Sequence, residues 1–447
     1  MNLDTLIRDQ NPYWADREFR PPEAEWYHRP AYQQTTNWLK KQIVISLTGL
    51  RRVGKSTIMK QIIGDVLTAK IAPEQIFYFS FDQSIIKRES ETLRSILETF
   101  ASSVLHHPLS AEKKPLYVFL DEIQIVPQWQ EIIKTYYDTN PSVHFVVSGS
   151  ASLFVSRTST ESLAGRLAEI TVPPLSFLDY LNLNQQAKQE ISKIGLEKYS
   201  LVFPEYVTAF FQDYLAMGQF PQPVSQNYSP IQFQQYIQTI EDKIIDIDLP
   251  QTFSIERPDI LKIIFEYFKT ASGTVVSYEN LTNDLGIDIR TTIKYVEWLQ
   301  KAYLFNLCHN QTKKLVKSSR TSKKVYLAST NFLRNAPLGN QVETYVFNVL
   351  KGLNVKLTFF RFKDQEIDFI TTTPSGQKIP WEVKYQAHIN NDDEKQVRNF
   401  ADRNQSPYAF LLTKQSDKQD KHKSTTLYHI PVSCIEQRIE ALREKLI

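Results

Sequence analysis

The segment GLRRVGKS (49–56) decides the fold of the first part of this chain, because it fits the phosphate-binding pattern G-x-x-x-x-G-K-[ST]. It follows an apolar run of strand length and opens a helical stretch, and its two glycines let backbone N–H groups turn towards phosphate oxygens. Lys55 is predicted to reach the β- and γ-phosphates, and Ser56 to bind Mg²⁺. The alternative is a tight turn that binds no ligand. The predicted nucleotide-binding residues here are Gly49, Leu50, Arg51, Arg52, Val53, Gly54, Lys55, Ser56 and Thr57.

A second segment, LYVFLDE (116–122), is an apolar strand that ends in two acids. Asp121 is predicted to hold Mg²⁺ and Glu122 to polarise the attacking water. Ser148, at the end of HFVVS (144–148), is the predicted polar sensor of the γ-phosphate. Two simpler explanations stay open: Asp121 as a helix cap, and Ser148 in an ordinary turn. The two segments together predict an ATP-binding ATPase that uses Mg²⁺.

Continuous apolar runs alternate with helical patterns from about residue 43 to residue 174. The runs at 43–47, 76–81, 116–120 and 144–148 are typical of strands that are buried on both faces. Helical patterns at 56–69, 92–104 and 129–137 lie between them. The pattern predicts an α/β fold with a parallel sheet.

Size and composition limit the other possibilities. A chain of 447 residues predicts two to four domains, and a net charge of +3 does not by itself imply a polyanionic partner. Its two cysteines cannot form a disulfide framework, and no run of 18 apolar residues is present. We therefore expect a cytoplasmic protein without a membrane span.

Several segments together resemble the prokaryotic AAA-type ATPases that carry a C-terminal domain of unknown function. They are LTGLRRVGKST (47–57), LDEIQIVPQW (120–129), VVSGSAS (146–152), SLAGRLAEITVPPLSF (162–177), DYLAMGQFPQPV (213–224) and EIDFI…WEVK (366–384). The resemblance covers nearly the whole chain. It implies a homo-oligomer, for which a hexameric ring is one candidate. It also implies that Arg166 is an arginine finger, which stabilises the transferred phosphoryl group of the neighbouring subunit. A solvated arginine is the alternative. Ser329 and Thr330 depart from the family, which usually has an acid here.

Residues 257–337 have the layout of a winged helix: a helix, a short helix ended by Gly286, a longer helix, and two strands. From Trp298 to Val342 there are eight Lys or Arg and no Asp or Glu. This basic segment predicts contacts with DNA phosphates, although many winged helices bind proteins instead. The candidate DNA-binding residues are Arg290, Lys294, Lys313, Lys314, Lys317, Arg320, Lys323 and Lys324.

Two segments near the C-terminus, EIDF (366–369) and WEVK (381–384), alternate polar and apolar residues as half-buried strands do. A turn centred near Ser375 would place Asp368 opposite Glu382, and a Mg²⁺ or Mn²⁺ ion would relieve their repulsion. Lys384 lies one step further along the same face. These residues resemble the core of PD-(D/E)XK nucleases, to which some branches add an acid that matches Glu343. Lys384 would then be catalytic, and the alternative is a domain that binds DNA without cutting it.

Four segments follow from these patterns: 1–177, an N-terminal arm with the AAA+ P-loop core; 178–256, a helical lid; 257–337, the winged helix; and 338–447, a small α/β nuclease-like domain. The predicted function is an oligomeric ATPase that couples ATP hydrolysis to the binding, remodelling or translocation of DNA, including branched DNA. One alternative is an ATP-controlled signalling switch that acts on a protein partner. Another is a metal-dependent nuclease in which ATP serves only for assembly.

Overall fold

The computed structural model describes residues 2–82, 89–149, 163–194, 204–253, 255–311, 322–333, 336–363, 365–386 and 389–446. The chain forms two compact units, Met1–Pro173 and Pro174–Ile447. Each unit has a sheet of its own, and the candidate sites lie at the edges and ends of these sheets.

The first unit is built on a five-stranded parallel sheet. Its strands are β1 (Val44–Thr48), β2 (Ile76–Ser80), β3 (Leu116–Asp121), β4 (Val143–Ser148) and β5 (Leu167–Thr171), in the order β2-β3-β4-β1-β5. Its helices are α1 (Leu3–Gln10), α2 (Pro30–Leu39), α3 (Lys55–Thr68), α4 (Glu91–Phe100) and α5 (Trp129–Thr139). The residues of β1 are all buried, as the continuous apolar run predicted. Because β1 lies between β4 and the edge strand β5, the loop that follows it opens at the carboxyl edge of the sheet, one strand from its end.

The second unit begins with helices. They are α6 (Phe177–Leu183), α7 (Gln185–Ile194), α8 (Pro204–Met217), α9 (Pro221–Ser225), α10 (Pro230–Asp242), α11 (Leu249–Phe253), α12 (Pro258–Ala271), α13 (Tyr278–Leu285) and α14 (Ile289–Lys301). The cap residues of α13 confirm the sequence interpretation. The Ser277 side chain accepts from the Asn280 N–H, and Gly286 ends the helix in the left-handed region at φ 63°.

A nine-stranded mixed sheet forms the rest of the second unit. Its strands are β6 (Val275–Val276), β7 (Phe305–Asn310), β8 (Lys323–Leu327), β9 (Lys356–Phe362), β10 (Gln365–Thr372), β11 (Lys378–Lys384), β12 (Tyr408–Thr413), β13 (Lys418–His422) and β14 (Thr425–Pro431). Its helices are α15 (Leu338–Lys351), α16 (Asn391–Asn404), α17 (Ile435–Ala441) and α18 (Arg443–Leu446). The strand order is β13-β14-β12-β11-β10-β9-β7-β8-β6.

One pairing in this sheet crosses the boundary that the sequence suggested at residue 338. Strand β7 pairs in parallel with β9, with His309 opposite Thr358 and Asn310 opposite Phe359. The Asn310 side chain also donates to the Arg361 carbonyl and accepts from the Arg361 N–H. The strands that follow α14 therefore share one continuous sheet with the C-terminal strands.

The predicted C-terminal hairpin is present with the predicted register. In the β10–β11 ladder, Phe369 lies opposite Trp381 and Thr372 opposite Lys378. Just beyond the Phe369–Trp381 pair, the Asp368 N–H donates to the Glu382 carboxylate at 3.3 Å, so the two acids are neighbours across the hairpin. Gly376 occupies the left-handed region at φ 85°, and its N–H donates to the Thr373 carbonyl in the turn.

Candidate active site

The phosphate loop joins β1 to α3 through two glycines in the left-handed region, Gly49 at φ 138° and Gly54 at φ 100°. A Cβ at Gly49 would lie 2.3 Å from the Val172 carbonyl oxygen, so no larger residue fits there without movement. Helix α3 begins at Lys55, and the first N–H groups of a helix, which make no bond within it, favour an anion at this end. The Lys55 ammonium is buried and donates to the Gly49 and Leu50 carbonyls at 3.3 and 3.0 Å.

Two anchors hold this loop that the motif alone does not reveal. Leu50 and Val53 are buried, so the loop is fixed by side chains as well as by its backbone. The Arg29 guanidinium, itself buried, donates to the Val53 carbonyl at 2.7 Å and to the Pro173 carbonyl at 2.8 Å. A buried arginine that follows no motif gives no signal at the sequence level.

Asp121 lies at the carboxyl end of β3, where its carboxylate is almost fully buried. It accepts hydrogen bonds from the Tyr78 hydroxyl at 3.0 Å and from the Ser148 hydroxyl, and the Ser56 hydroxyl also bonds to it. Burial, and then the charge of Glu122, raise the pKa of Asp121. A divalent cation would favour the charged form of this carboxylate. Ser56 and Asp121 therefore fit the predicted Mg²⁺ ligands.

Ser148 links the two acids of this site. Its hydroxyl donates to Asp121 and accepts from the Glu122 N–H at 3.3 Å. Glu122 itself has a left-handed backbone, at φ 56°, and its carboxylate accepts from the Gln124 side chain at 2.6 Å. The strained backbone turns Glu122 away from the line of β3, so the two successive acids face different partners.

Tyr78 and Gln124 were missed at the sequence level. Tyr78 lies in the apolar run of β2, and its hydroxyl bonds to Asp121 because β2 and β3 are neighbours. The hydroxyl of Tyr78 inside an apolar strand is the signal that the sequence offers, but it does not identify Asp121 as the partner.

Arg166 lies at the opposite end of the sheet from the phosphate loop. Its carbonyl accepts from the Val44 N–H, at the start of β1, whereas the loop follows the end of β1. At about 3.3 Å per residue, the two ends of this strand are roughly 15 Å apart. The guanidinium forms a two-point ion pair with Asp138, at 2.8 and 3.3 Å, and is partly exposed.

The basic segment divides into residues with different surroundings. Arg290 and Lys294 are exposed on α14, where the Lys294 ammonium lies 4.8 Å from the centre of the Trp298 ring. Lys323 is half-buried, 4.8 Å from the centre of the Tyr278 ring. Four predicted DNA-binding residues lie outside the described residues: Lys313, Lys314, Lys317 and Arg320.

Lys324 corrects one expectation, because its side chain points into the second unit and not towards solvent. It is 4% exposed, and its ammonium lies 2.8 Å from Glu366, 3.2 Å from Glu343 and 3.9 Å from Asp368. Neighbouring residues of a strand face opposite sides, so Lys323 and Lys324 cannot both face a DNA backbone. Lys324 is therefore removed from the candidate DNA contacts.

The C-terminal carboxylates and Lys384 are close together. The Asp368 N–H donates to Glu382 at 3.3 Å, and the Val383 N–H donates to Asp368 at 2.9 Å. Lys384 forms an ion pair with Glu382 at 2.9 Å. The Tyr326 hydroxyl donates to Glu343 at 2.6 Å. We call Glu343, Glu366, Asp368 and Glu382 the carboxylate cluster.

Charge in this cluster is already largely balanced by the chain itself. Lys324 and Lys384 lie against it, and Arg361 lies 3.5 Å from Glu366. Burial, and then the charge of Asp368, raise the pKa of Glu343 to about 7 and that of Glu382 to about 8. Three ligand atoms that share one metal ion lie close together. Within the described ranges, these acids do not bring three ligand atoms within 4.8 Å of one another. With Lys324 between the acids, this arrangement does not fit the predicted second metal site.

Ser329 and Thr330, which depart from the resembled family, are buried and hold Gln219. The Ser329 hydroxyl donates to the Gln219 side-chain oxygen at 2.6 Å, and the Thr330 N–H donates to the same oxygen at 2.9 Å. Their polar groups therefore anchor the segment between α8 and α9.

Comparisons with known proteins identify the class of the first unit. Residues 41–181 match a family model described as an AAA domain, and the fold and site described above agree with it. This part of the chain is an AAA-type P-loop ATPase domain. Residues 208–342 match a domain of unknown function (DUF8612), and residues 338–435 match another (DUF4143).

Two relatives cover most of this chain. An uncharacterized protein of Methanocaldococcus jannaschii is 26% identical over 77% of this chain and 76% of its own length. An uncharacterized protein of Haemophilus influenzae is 25% identical over 76% of this chain and 82% of its own length.

Similarity to solved structures is lower. The Aeropyrum pernix ORC1 protein in complex with DNA has 10% identity and a TM-score of 0.30, over 72% of this chain and 92% of that chain. The S. cerevisiae Hsp104-ADP complex has 13% identity and a TM-score of 0.34, over 61% and 50%. TM-scores this low carry no conclusion about function. Among the helices of the described ranges, none has the length and hydropathy needed to cross a bilayer.

Proposed function

We propose that this protein hydrolyses ATP and couples hydrolysis to the binding and remodelling of DNA. The observation that carries the first part is the arrangement of Asp121, Glu122 and Ser148 at the carboxyl edge of the sheet, next to the phosphate loop. Lys55 would bind the β- and γ-phosphates, and Ser56 and Asp121 would hold Mg²⁺, which neutralises phosphate charge when bound. Glu122 would orient and polarise the attacking water.

Hydrolysis would depend on assembly, because Arg166 lies too far along the sheet to reach the nucleotide of its own subunit. Its partly exposed guanidinium has a fixed orientation in the ion pair with Asp138. In a homo-oligomer it would instead contact the γ-phosphate that a neighbouring subunit binds. A cation supplied in this way stabilises the charge of the transferred phosphoryl group.

Mixing two inactive variants tests this shared site. Arg166→Ala should bind ATP normally and hydrolyse it at least about 10³-fold more slowly, as loss of an arginine finger does. Mixing it with Glu122→Gln should restore part of the activity, because some interfaces then pair an intact Glu122 with an intact Arg166. Turnover is measured against the mixing ratio, with Arg94→Ala, another partly exposed arginine, as the control. Mixed oligomers without any recovery would argue against a site shared between subunits.

Binding of DNA is supported by the order of α12, α13, α14, β7 and β8, which agrees with the order of elements that we propose for a winged helix, and by the basic segment around it. Arg290 and Lys294 are exposed one turn apart at the front of α14. The residues between β7 and β8 carry four more cations and no acid. Such a surface would contact the phosphate backbone and would bind DNA less tightly as salt increases.

Salt dependence tests the basic segment directly. Replacing Lys313, Lys314 and Lys323 by glutamine should weaken DNA binding and leave nucleotide affinity unchanged. The slope of log affinity against log salt should fall by about 0.9 for each lost phosphate contact. Lys113 and Lys114, an exposed pair in the first unit, provide a matched control when both are replaced. An unchanged slope would mean that the basic segment does not contact phosphate.

A protein partner is the second candidate, and one observation favours it. Ile289 and Ile293 are 39% and 38% exposed at the front of α14, on the surface that also carries Arg290 and Lys294. Exposed apolar side chains suit a protein interface better than a DNA backbone. The chain would then act as an ATP-controlled switch. Stimulation of ATP hydrolysis by single-stranded, duplex or branched DNA separates the two functions, since the switch has no reason to respond to DNA.

The C-terminal residues favour a binding role over DNA cleavage. Asp368, Glu382 and Lys384 are close together, but the acids already pair with cations of the chain: the Lys324 ammonium lies 3.9 Å from Asp368, and the Lys384 ammonium lies 2.9 Å from Glu382. We therefore propose that residues 338–447 contribute to binding. A nick or cut that disappears in both Asp368→Asn and Lys384→Ala, while ATP hydrolysis survives, would contradict this proposal.

A further inference from the structure

A second group of possible metal ligands lies at the edge of the nine-stranded sheet, away from the carboxylate cluster. Glu394 is in the first turn of α16, Asp420 is on the edge strand β13, and His429 is on β14. Each residue offers one ligand atom, and the three atoms lie within 4.8 Å of one another. Three separate elements therefore converge on one point.

His429 is the unusual member of this group. Its residue is 1% exposed, and neither ring nitrogen has a hydrogen-bond partner within the described residues. Its Nε2 nevertheless lies 3.3 Å from Glu394 Oε1 and 4.0 Å from Asp420 Oδ2. Buried polar atoms without a partner are rare, and a bound ion is one of their few explanations. Burial also lowers the pKa of His429, which keeps the imidazole neutral and available as a ligand.

We propose that Glu394, Asp420 and His429 bind one Zn²⁺ ion. Two ligands that each lie about 2 Å from a tetrahedral zinc are about 3.3 Å apart, as His429 Nε2 and Glu394 Oε1 are. One imidazole and two carboxylates suit zinc, whereas Mg²⁺ and Ca²⁺ prefer oxygen ligands throughout. Water would complete the coordination, since the Asp420 side chain is 45% exposed and the site is open to solvent.

Two cations of the chain, Lys418 and Arg398, already lie close to these acids. The Lys418 ammonium lies 3.3 Å from Glu394 Oε1 and 3.5 Å from Asp420 Oδ2, so it occupies the place that the ion would take. Its side chain is 51% exposed and can turn into water at little cost. Arg398 donates to the other oxygen of Glu394, Oε2, at 3.2 Å, and lies 3.6 Å from Asp420 Oδ2, so it would remain beside both carboxylates and orient them when the metal binds.

A zinc ion here would fasten the β13–β14 hairpin to α16. Strand β13 is at the edge of the sheet and, among the described strands, pairs with β14 alone. Its residues are mostly exposed, so few apolar contacts hold it. A metal that joins Asp420 to Glu394 would therefore order an edge strand that few apolar side chains anchor.

The test is a zinc titration of the full-length chain in competition with a chromophoric zinc chelator. Metal is first removed from the chain, and no nucleotide is added. The parent should bind one zinc per chain through this site. Asp420→Asn, Glu394→Gln and His429→Asn should each weaken this binding at least about tenfold. Lys418→Met should tighten zinc binding by a factor of about two to five, because zinc then no longer displaces the Lys418 ammonium from the two acids.

Three controls separate this site from other acids and from unfolding. Because His429 is buried, its variant must retain ATP hydrolysis and hydrogen-exchange protection of β12 before it is compared. His106→Asn, an exposed histidine of the first unit, and Asp368→Asn should bind zinc as the parent does. The proposal is wrong if the parent binds no zinc, or if Asp420→Asn and a folded His429→Asn bind it unchanged.

Discussion

Glu122→Gln should bind ATP with unchanged affinity and hydrolyse it about 10² to 10⁴ times more slowly, the usual contribution of a positioned general base. The substitution preserves the size of the side chain, the proposed metal ligand Asp121 and the Ser148 bridge, and removes only the charge that we propose polarises water. Lys55→Ala should instead lose ATP binding or turnover, because the buried ammonium is the cation that we propose binds the β- and γ-phosphates. Nucleotide affinity and steady-state turnover, measured separately, distinguish the two effects.

Glu131→Gln is the matched control for this experiment, since Glu131 is an exposed acid in the first turn of α5. It should leave both affinity and turnover unchanged. Near-normal turnover by Glu122→Gln would remove Glu122 from the catalytic role. Its left-handed backbone would then need another explanation.

Lys324→Met should lower the free energy of unfolding of the second unit by about 3 to 5 kcal/mol at pH 8, the range expected when one partner of a buried ion pair is lost. Methionine fills a similar volume, so the loss reports charge and not packing. This loss of unfolding free energy should be smaller at pH 5, because the remaining acids can then take up protons and no longer leave an unpaired buried charge. The pKa values of Glu343 and Glu382, raised to about 7 and 8, already favour the protonated forms below those pH values.

Metal addition then tests whether Lys324 takes the place of a divalent ion. Mn²⁺ should stabilise Lys324→Met by mass action, and should have little effect on the parent or on Lys324→Met combined with Asp368→Asn. Urea unfolding, with hydrogen exchange of the β10 and β11 amides to locate the effect, provides the measurement. Lys323→Met, one residue away on the opposite face of β8, is the control. An equal response of the parent to Mn²⁺ would show that Lys324 does not exclude the ion.

Local patterns predicted much of the first unit. The apolar runs became the buried strands β1 to β4, and GLRRVGKS lies between a strand and a helix as its motif requires. The sequence pattern does not predict strand β5, although its residues belong to a segment that resembles the family. Its residues Leu167–Thr171 alternate between buried and exposed side chains at the sheet edge, so they lack the continuous apolar run.

Sequence by itself determined the phosphate loop, the acids that end β3, and the register of the β10–β11 hairpin. Each depends on residues close together in the chain, where the strand period and turn chemistry act directly. Only the tertiary structure decided that Lys324 faces buried carboxylates while Lys323 does not. The position of these carboxylates depends on the pairing of β7 with β9, which lies about fifty residues further along the chain. The meeting of Glu394, Asp420 and His429 has the same cause. Charge patterns in a sequence do not show which side chains a sheet will bury together.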